Sequence, residues 1–161
     1  DEFRQARGIG LAKATQIKAA IELGRRLNSL EQQSRPTISS PGDVVQLVQY
    51  EMMGLIQEHL WVLLLNTKNQ VIRIEKVYKG TLNSSTVRIA ELFKPAVVRN
   101  AAGIILVHNH PSGDPTPSSE DVRLTRSVVQ SGMLLDIEVL DHIIIGEAGK
   151  YSSLKQKKLG F

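Results

Sequence analysis

Two stretches, WVLLL at 61–65 and GIILV at 103–107, contain no polar side chain. A strand with one wet face alternates, as VIRIEKVY does at 71–78, whereas an unbroken apolar run reads as a strand buried on both faces. The TKNQ between the first two strands, 67–70, reads as a hairpin turn. Helical spacing surrounds them. Ser40 or Asp43 can cap a helix through Val44, Leu47, Val48, Met52 and Leu55, ending before HLWVLLLN at 59–66. A second helix is expected near 88–101 and a third over roughly 118–131, while LLDIEVLDHIII at 134–145 reads as one or two further strands. Strands and helices interleave, which predicts an α/β chain with a mixed sheet flanked by helices.

Ahead of this lies a separate element. Ile17, Ala20, Ile21, Leu23, Leu27 and Leu30 recur at helical spacing, predicting one amphipathic helix from about Ala12 to Gln33. Gly8-Ile9-Gly10 precedes it, and two glycines there leave backbone amides free near a helix N-terminus, where a phosphate can sit. An ordinary turn explains the same residues. SRPTISSPGD, 34–43, is dense in turn and cap residues. It sets the expected division into a 1–34 appendage and a 35–161 domain, which suits 161 residues that are 42% hydrophobic and 22% charged. The opening DEFRQARGIG has no initiator Met and no apolar signal segment, and reads as trimmed from a longer protein. No apolar run is long enough to cross a bilayer, so no membrane partner is expected and a cytoplasmic location is compatible. The net charge of +4 and pI near 9.5 suit contact with nucleic acid, but the basic residues are scattered except for Arg25-Arg26 and the KQKK of 155–158.

With no cysteine, a transition metal would have to be held by nitrogen and oxygen. HNHPSGDPTPSSED, 108–121, offers both. Along an extended chain His108 and His110 point to one face with Cα atoms roughly 6.5 to 7 Å apart, and Asn109 points to the other. They stand at the end of a buried strand, where α/β proteins tend to bind ligands. If Ser118 begins a helix, Asp121 lies in its first turn and can face back toward them. Two histidines and one aspartate leave the fourth tetrahedral position of Zn²⁺ for water, whose pKa the metal lowers toward neutrality. The structural alternative is equally concrete: Ser118-x-x-Asp121 is also a capping box, and buried histidines often serve only as hydrogen-bonded core residues.

Several labels do not fit. The letters HNH match the HNH nuclease name by coincidence, since that motif is scattered over a longer stretch. A binuclear HxHxDH site needs Asp and His where Ser112 and Gly113 stand. A zinc nucleobase deaminase needs cysteines, and there is no HExxH helix.

What fits is H-x-H, seven residues, S-x-x-D, met by His108, His110, Ser118 and Asp121. This resembles the JAMM or MPN+ metalloprotease motif. KGTLNSS at 79–85, NAAGIILVHNHPSGDPTPSSED at 100–121 and LLDIEVLDHIIIG at 134–146 are similar to its RadC branch, over roughly Arg35 to Phe161. GIGLAKATQIKAAIELGRR, 8–26, is similar to part of the helix-hairpin-helix segment of RadC proteins. The resemblance implies a JAMM fold of cytidine-deaminase-like architecture with one Zn²⁺ per chain on His108, His110 and Asp121. It also implies hydrolysis of peptide or isopeptide bonds, with Glu58 as general base and then general acid, and Ser118 donating to the developing oxyanion. Glu120 is the competing glutamate, with a simple reading as a helix N-terminal acid. The chain departs from the family where many members have a His-Pro pair after GTLNSS; here Arg88-Ile89 follows. His59 and His142 lie outside the motif and read as structural or incidental.

Three functions follow. One is a zinc hydrolase acting on a protein or peptide. Another is a DNA-associated module contacting backbone through Gly8, Gly10 and Lys13, with the larger domain as scaffold. The third is a noncatalytic interaction domain that keeps a metal for stability.

Overall fold

The computed structural model describes residues 10–33, 35–80 and 87–161, with the side chains of 27–33 outside that description. Gly8 and most of the KGTLNSS segment therefore lie outside the described residues. The chain divides into Asp1–Arg35 and Pro36–Phe161. In the first unit Gly10 opens helix α1, Leu11–Gln33, and its carbonyl accepts from Ala14 N–H at 3.0 Å. Of the expected apolar stripe Ile17 is half-buried and Ala20, Ile21 and Leu23 are exposed, while the side chains of Leu27 and Leu30 lie outside the described residues.

The second unit begins with α2, Pro41–Met52. Both candidate caps take part, because Asp43 N–H donates to Ser40 Oγ while Ser40 N–H donates to the Asp43 carboxylate. Then come β1 (His59–Leu65), β2 (Val71–Lys79), α3 (Ile89–Val98), β3 (Gly103–Asn109), α4 (Ser119–Leu135), β4 (Glu138–Ile145) and β5 (Tyr151–Ser153). Sheet order is β2-β1-β3-β4-β5, with β3 and β4 parallel and the other pairs antiparallel. The mixed sheet flanked by helices is thus observed. Three details differ from expectation. Helix α2 stops at Met52, short of the expected Leu55. Helix α4 takes Leu134 and Leu135 from the predicted strand and stops at Asp136, whose left-handed backbone (φ 55°) sends its N–H to Gly132. The short β5 carries too few residues to show a period in the sequence.

The two apolar runs pair with each other, Leu60 opposite His108 and Leu65 opposite Gly103. Successive side chains then serve different cores. Leu60, Val62, Leu64, Ile104 and Leu106 pack with Leu92, Phe93, Leu124 and Val128 of α3 and α4. Trp61, Leu63, Leu65, Ile105 and Val107 pack with Val44, Val45, Val48 and Met52 of α2. Both faces are covered, as an unbroken apolar run requires. Among the described residues no helix is long and apolar enough to cross a membrane.

The loop after β3 docks on the end of β4. A Cβ added at Gly146 would lie 2.4 Å from the Gly113 carbonyl oxygen and 2.7 Å from Pro115 Cδ. Gly146→Ala should therefore lower the unfolding free energy by about 1–3 kcal/mol, read from the midpoint of a urea titration; an unchanged midpoint would show that the loop yields freely.

Candidate metal centre

His108 is the penultimate residue of β3, on the face it shares with Leu106, and is buried. His110 follows the strand, its N–H fixed to Ile145 O at 2.9 Å. Their Nε2 atoms are 2.9 Å apart. Asp121, in the first turn of α4, places Oδ1 at 3.3 Å from His108 Nε2 and Oδ2 at 3.6 Å from His110 Nε2. One donor atom from each of the three lies within 4.8 Å of the others. Two donors on a tetrahedral ion with bonds of about 2.0–2.1 Å stand about 3.3 Å apart. The two imidazoles meet different oxygens of Asp121, so a single shared oxygen requires a small adjustment, and with one donor from each residue already within 4.8 Å these residues could hold one metal ion.

The capping box and the ligand set are one structure. Ser118 Oγ–H donates to Asp121 Oδ2 at 2.6 Å, Ser118 N–H donates to the same oxygen at 2.7 Å, and Asp121 N–H donates to Ser118 Oγ at 3.1 Å. The cap fixes the carboxylate and leaves Oδ1 facing His108. In this arrangement the Ser118 proton is directed at Asp121, and a donor role toward a substrate requires the hydroxyl to rotate. Glu120 pairs with Arg123 in the same turn, in keeping with the helix-end reading.

Electrostatics separate the two histidines. Burial pushes His108 well below the ordinary imidazole range, and neighbouring His142 adds to this. His110 is shifted up, chiefly by its hydrogen bond to Asp121, and its Nδ1 donates to Asp114 O at 2.8 Å. Burial alone would raise the Asp121 carboxyl, but His110, His108 and Ser118 outweigh it and hold it well below the usual carboxylate range.

Glu58 immediately precedes β1. The β1–β3 register, carried two residues outward from Leu60 and His108, sets it across from His110, and its charge contributes to the upward shift of that imidazole. Asn109, on the opposite face from the histidines, grips the backbone on either side of Glu58. Its Oδ1 accepts from His59 N–H at 2.8 Å and its Nδ2 donates to Gln57 O at 3.0 Å.

Sequence reasoning missed two residues. His142 is not incidental: its Nε2 is 2.8 Å from His108 Nδ1, and its Nδ1 is 2.6 Å from Thr125 Oγ1. Thr125 is fully buried one turn beyond Asp121. The spacing from 108 to 142 carries no signal, because only the parallel β3–β4 register, Leu106 beside His142, brings them together. His59 does read as structural, its Nδ1 bonding Gln57 O at 3.0 Å. Arg88 stands at the start of α3 beside Glu91. Gly10 and Lys13 are exposed in the first unit.

A five-stranded mixed sheet with flanking helices and a His-His-Asp group at the end of a central strand is the arrangement of JAB/MPN domains. The family model described as the RadC-like JAB domain matches residues 38–159, and the chain belongs to that family. It is similar to proteins named only UPF0758. One from Chloroflexus aggregans (strain MD-66 / DSM 9485) is 57% identical over 154 residues, covering 96% of this chain and 67% of the relative. Another from Roseiflexus castenholzii (strain DSM 13941 / HLO8) is 52% identical over 161 residues, covering 100% and 69%. A third, from Moorella thermoacetica (strain ATCC 39073 / JCM 9320), is 53% identical over 159 residues, covering 99% and 69%. These names state no activity.

The raised His110 has a testable sign. A folded-state pKa above the unfolded one means that the His110–Asp121 pair stabilises metal-free protein fully below the unfolded pKa and loses that contribution as pH rises through the folded one. Histidine NMR of metal-free protein should place the His110 midpoint above that of an exposed imidazole, and Asp121→Asn should bring it down; an unmoved midpoint would sink the pairing.

Proposed function

We propose that the protein is a zinc-dependent hydrolase of peptide or isopeptide bonds. The observation that supports this best is the convergence of His108 Nε2, His110 Nε2 and an Asp121 oxygen beside Glu58. Zinc held there would supply the positive charge that makes water a nucleophile near neutral pH and polarises a carbonyl. The remaining work falls to the chain. The Glu58 carboxylate takes one proton as the water oxygen bonds to the carbonyl carbon, and returns it to the amine nitrogen as the C–N bond breaks. Asn109 holds the backbone that carries this group. Ser118, with its hydroxyl rotated from Asp121, donates to the oxyanion. A cleft of about 220 Å³ beside His110, lined by Met52, Leu55 and Ile145 together with Asn109, Ser112 and Glu147, offers a mixed polar and apolar surface for a substrate side chain.

Elemental mass spectrometry after zinc loading and dialysis should find about one zinc per chain, lost in His110→Ala. Glu58→Gln should keep that zinc and reduce hydrolysis in a peptide and isopeptide panel by at least about 10²-fold. No zinc in the unaltered protein would sink the proposal, and zinc without hydrolysis of any substrate would favour the noncatalytic interaction domain.

A second reading is DNA association through Gly8, Gly10 and Lys13. In its favour, the first turn of α1 carries Lys13 and no acidic residue. Fluorescence anisotropy with a DNA duplex should then show sequence-independent binding that weakens as salt rises and falls in Lys13→Ala; absence of binding at low salt would eliminate it.

A further inference from the structure

We infer that His142 and Thr125 are positioning residues that fix the tautomer of His108, so that its Nε2 lone pair is presented to the metal before the metal arrives. The inference rests on the metal-site reading above and deepens it. Each short contact in the chain needs one proton, and the count runs in one direction from a carbonyl.

The contact between Thr125 Oγ1 and Asp121 O is 2.6 Å. A carbonyl oxygen only accepts, and the hydroxyl has a single proton, so that proton lies on this bond. The 2.6 Å contact between Thr125 Oγ1 and His142 Nδ1 must then carry a proton from the ring, which makes His142 the Nδ1–H form. Its ring is wholly buried, and among the described residues no carboxylate bonds it, so the ring is neutral and Nε2 is bare. Bare Nε2 lies 2.8 Å from His108 Nδ1 and accepts from it. Neutral His108 thereby carries its one proton on Nδ1, and its Nε2, which faces His110 and Asp121, is left as a lone pair.

The reverse order would leave a 2.6 Å oxygen–oxygen contact with no proton and would direct Nε2–H at the metal position. His110 Nδ1 donates to the Asp114 carbonyl at 2.8 Å, and in the metal-free chain its Nε2–H supplies the proton of the 2.9 Å contact to the bare His108 Nε2, a proton that a metal would displace. A ligating histidine commonly donates its other nitrogen to a carboxylate, carbonyl or water. His108 has a second imidazole in that place, and the direction of the bond between two such rings is undefined until Thr125 defines it. That is the work assigned to Thr125.

Nitrogen-15 NMR of histidine-labelled, metal-free protein above neutral pH reads both tautomers without any substitution. Nδ1–H on His108 and on His142 is expected, and Nε2–H on His108 overturns the inference whether or not the protein binds metal. Zn²⁺ affinity, measured by competition with a chromophoric chelator, supplies the second readout. His142→Leu should weaken binding about 10–100-fold, and Thr125→Val, isosteric and hydroxyl-free, should weaken it in the same direction. His142→Gln, whose Oε1 can accept in place of the ring Nε2, should restore most of the affinity. If the unaltered protein binds Zn²⁺ and His142→Leu and Thr125→Val bind it equally well, or His142→Gln binds as poorly as a folded His142→Leu, the positioning role is wrong while the metal reading stands. If the unaltered protein binds no Zn²⁺, the metal reading fails and takes the presentation of the lone pair with it.

Discussion

The antiparallel pairing of β1 with β3 is the constraint on which the rest of the structure depends. It joins two runs that have no polar side chain to spare, so both faces of the pair must be covered, by α2 on one side and by α3 and α4 on the other. The same two-residue period then distributes the polar residues at the strand end. His108 follows Leu106 on the α4 face, where Asp121 waits, and Asn109 follows Val107 on the α2 face, where it holds the segment around Glu58. A slip of one residue would exchange the two faces. It would drive His108 into the α2 core and expel Asn109 from the segment it anchors, so the packing that stabilises the domain also enforces the register of the site.

Burying this much polarity is tolerable only because almost every group has a partner. His108, His142, Thr125, Asp121 and Asp141 are all buried, and each is hydrogen-bonded or ion-paired. Asp141 illustrates the cost: burial raises its carboxyl above the ordinary range even though Ser153 Oγ–H and the N–H groups of His142 and Lys155 donate to it. An unpartnered polar atom in such a place costs roughly 1–3 kcal/mol. The capping box serves the same economy by giving α4 its N-terminal partners with the carboxylate that also faces the histidines. A structural account and a functional account of Ser118 and Asp121 are therefore not rivals.

Much of this was legible beforehand, for identifiable reasons. The strands β1 and β3 announce themselves because burial on both faces erases alternation, and β2 because its exposed face restores it. The candidate ligand set was legible because H-x-H on a strand and S-x-x-D at a helix start each fix side-chain direction by local geometry alone. Glu58 was singled out only through resemblance to a family, and its place across from His110 follows from strand register. The C-terminal end of α4 and the three-residue β5 were not legible: Leu134 and Leu135 fit a strand as well as a helix, and the left-handed turn at Asp136 that stops the helix has no strong local signal without glycine.

The sequence by itself determined the fold class, the capped helix starts and the three candidate donor residues, because each depends on interactions spanning a few positions whose periods are fixed by backbone geometry. Only the tertiary structure decided that His142 and Thr125 stand behind His108 and that Asn109 clamps the flanks of Glu58. Those contacts link residues 34, 17 and about 50 positions apart. Their existence depends on which strands become neighbours and in what register, and that is settled by the joint burial of two cores rather than by any local pattern.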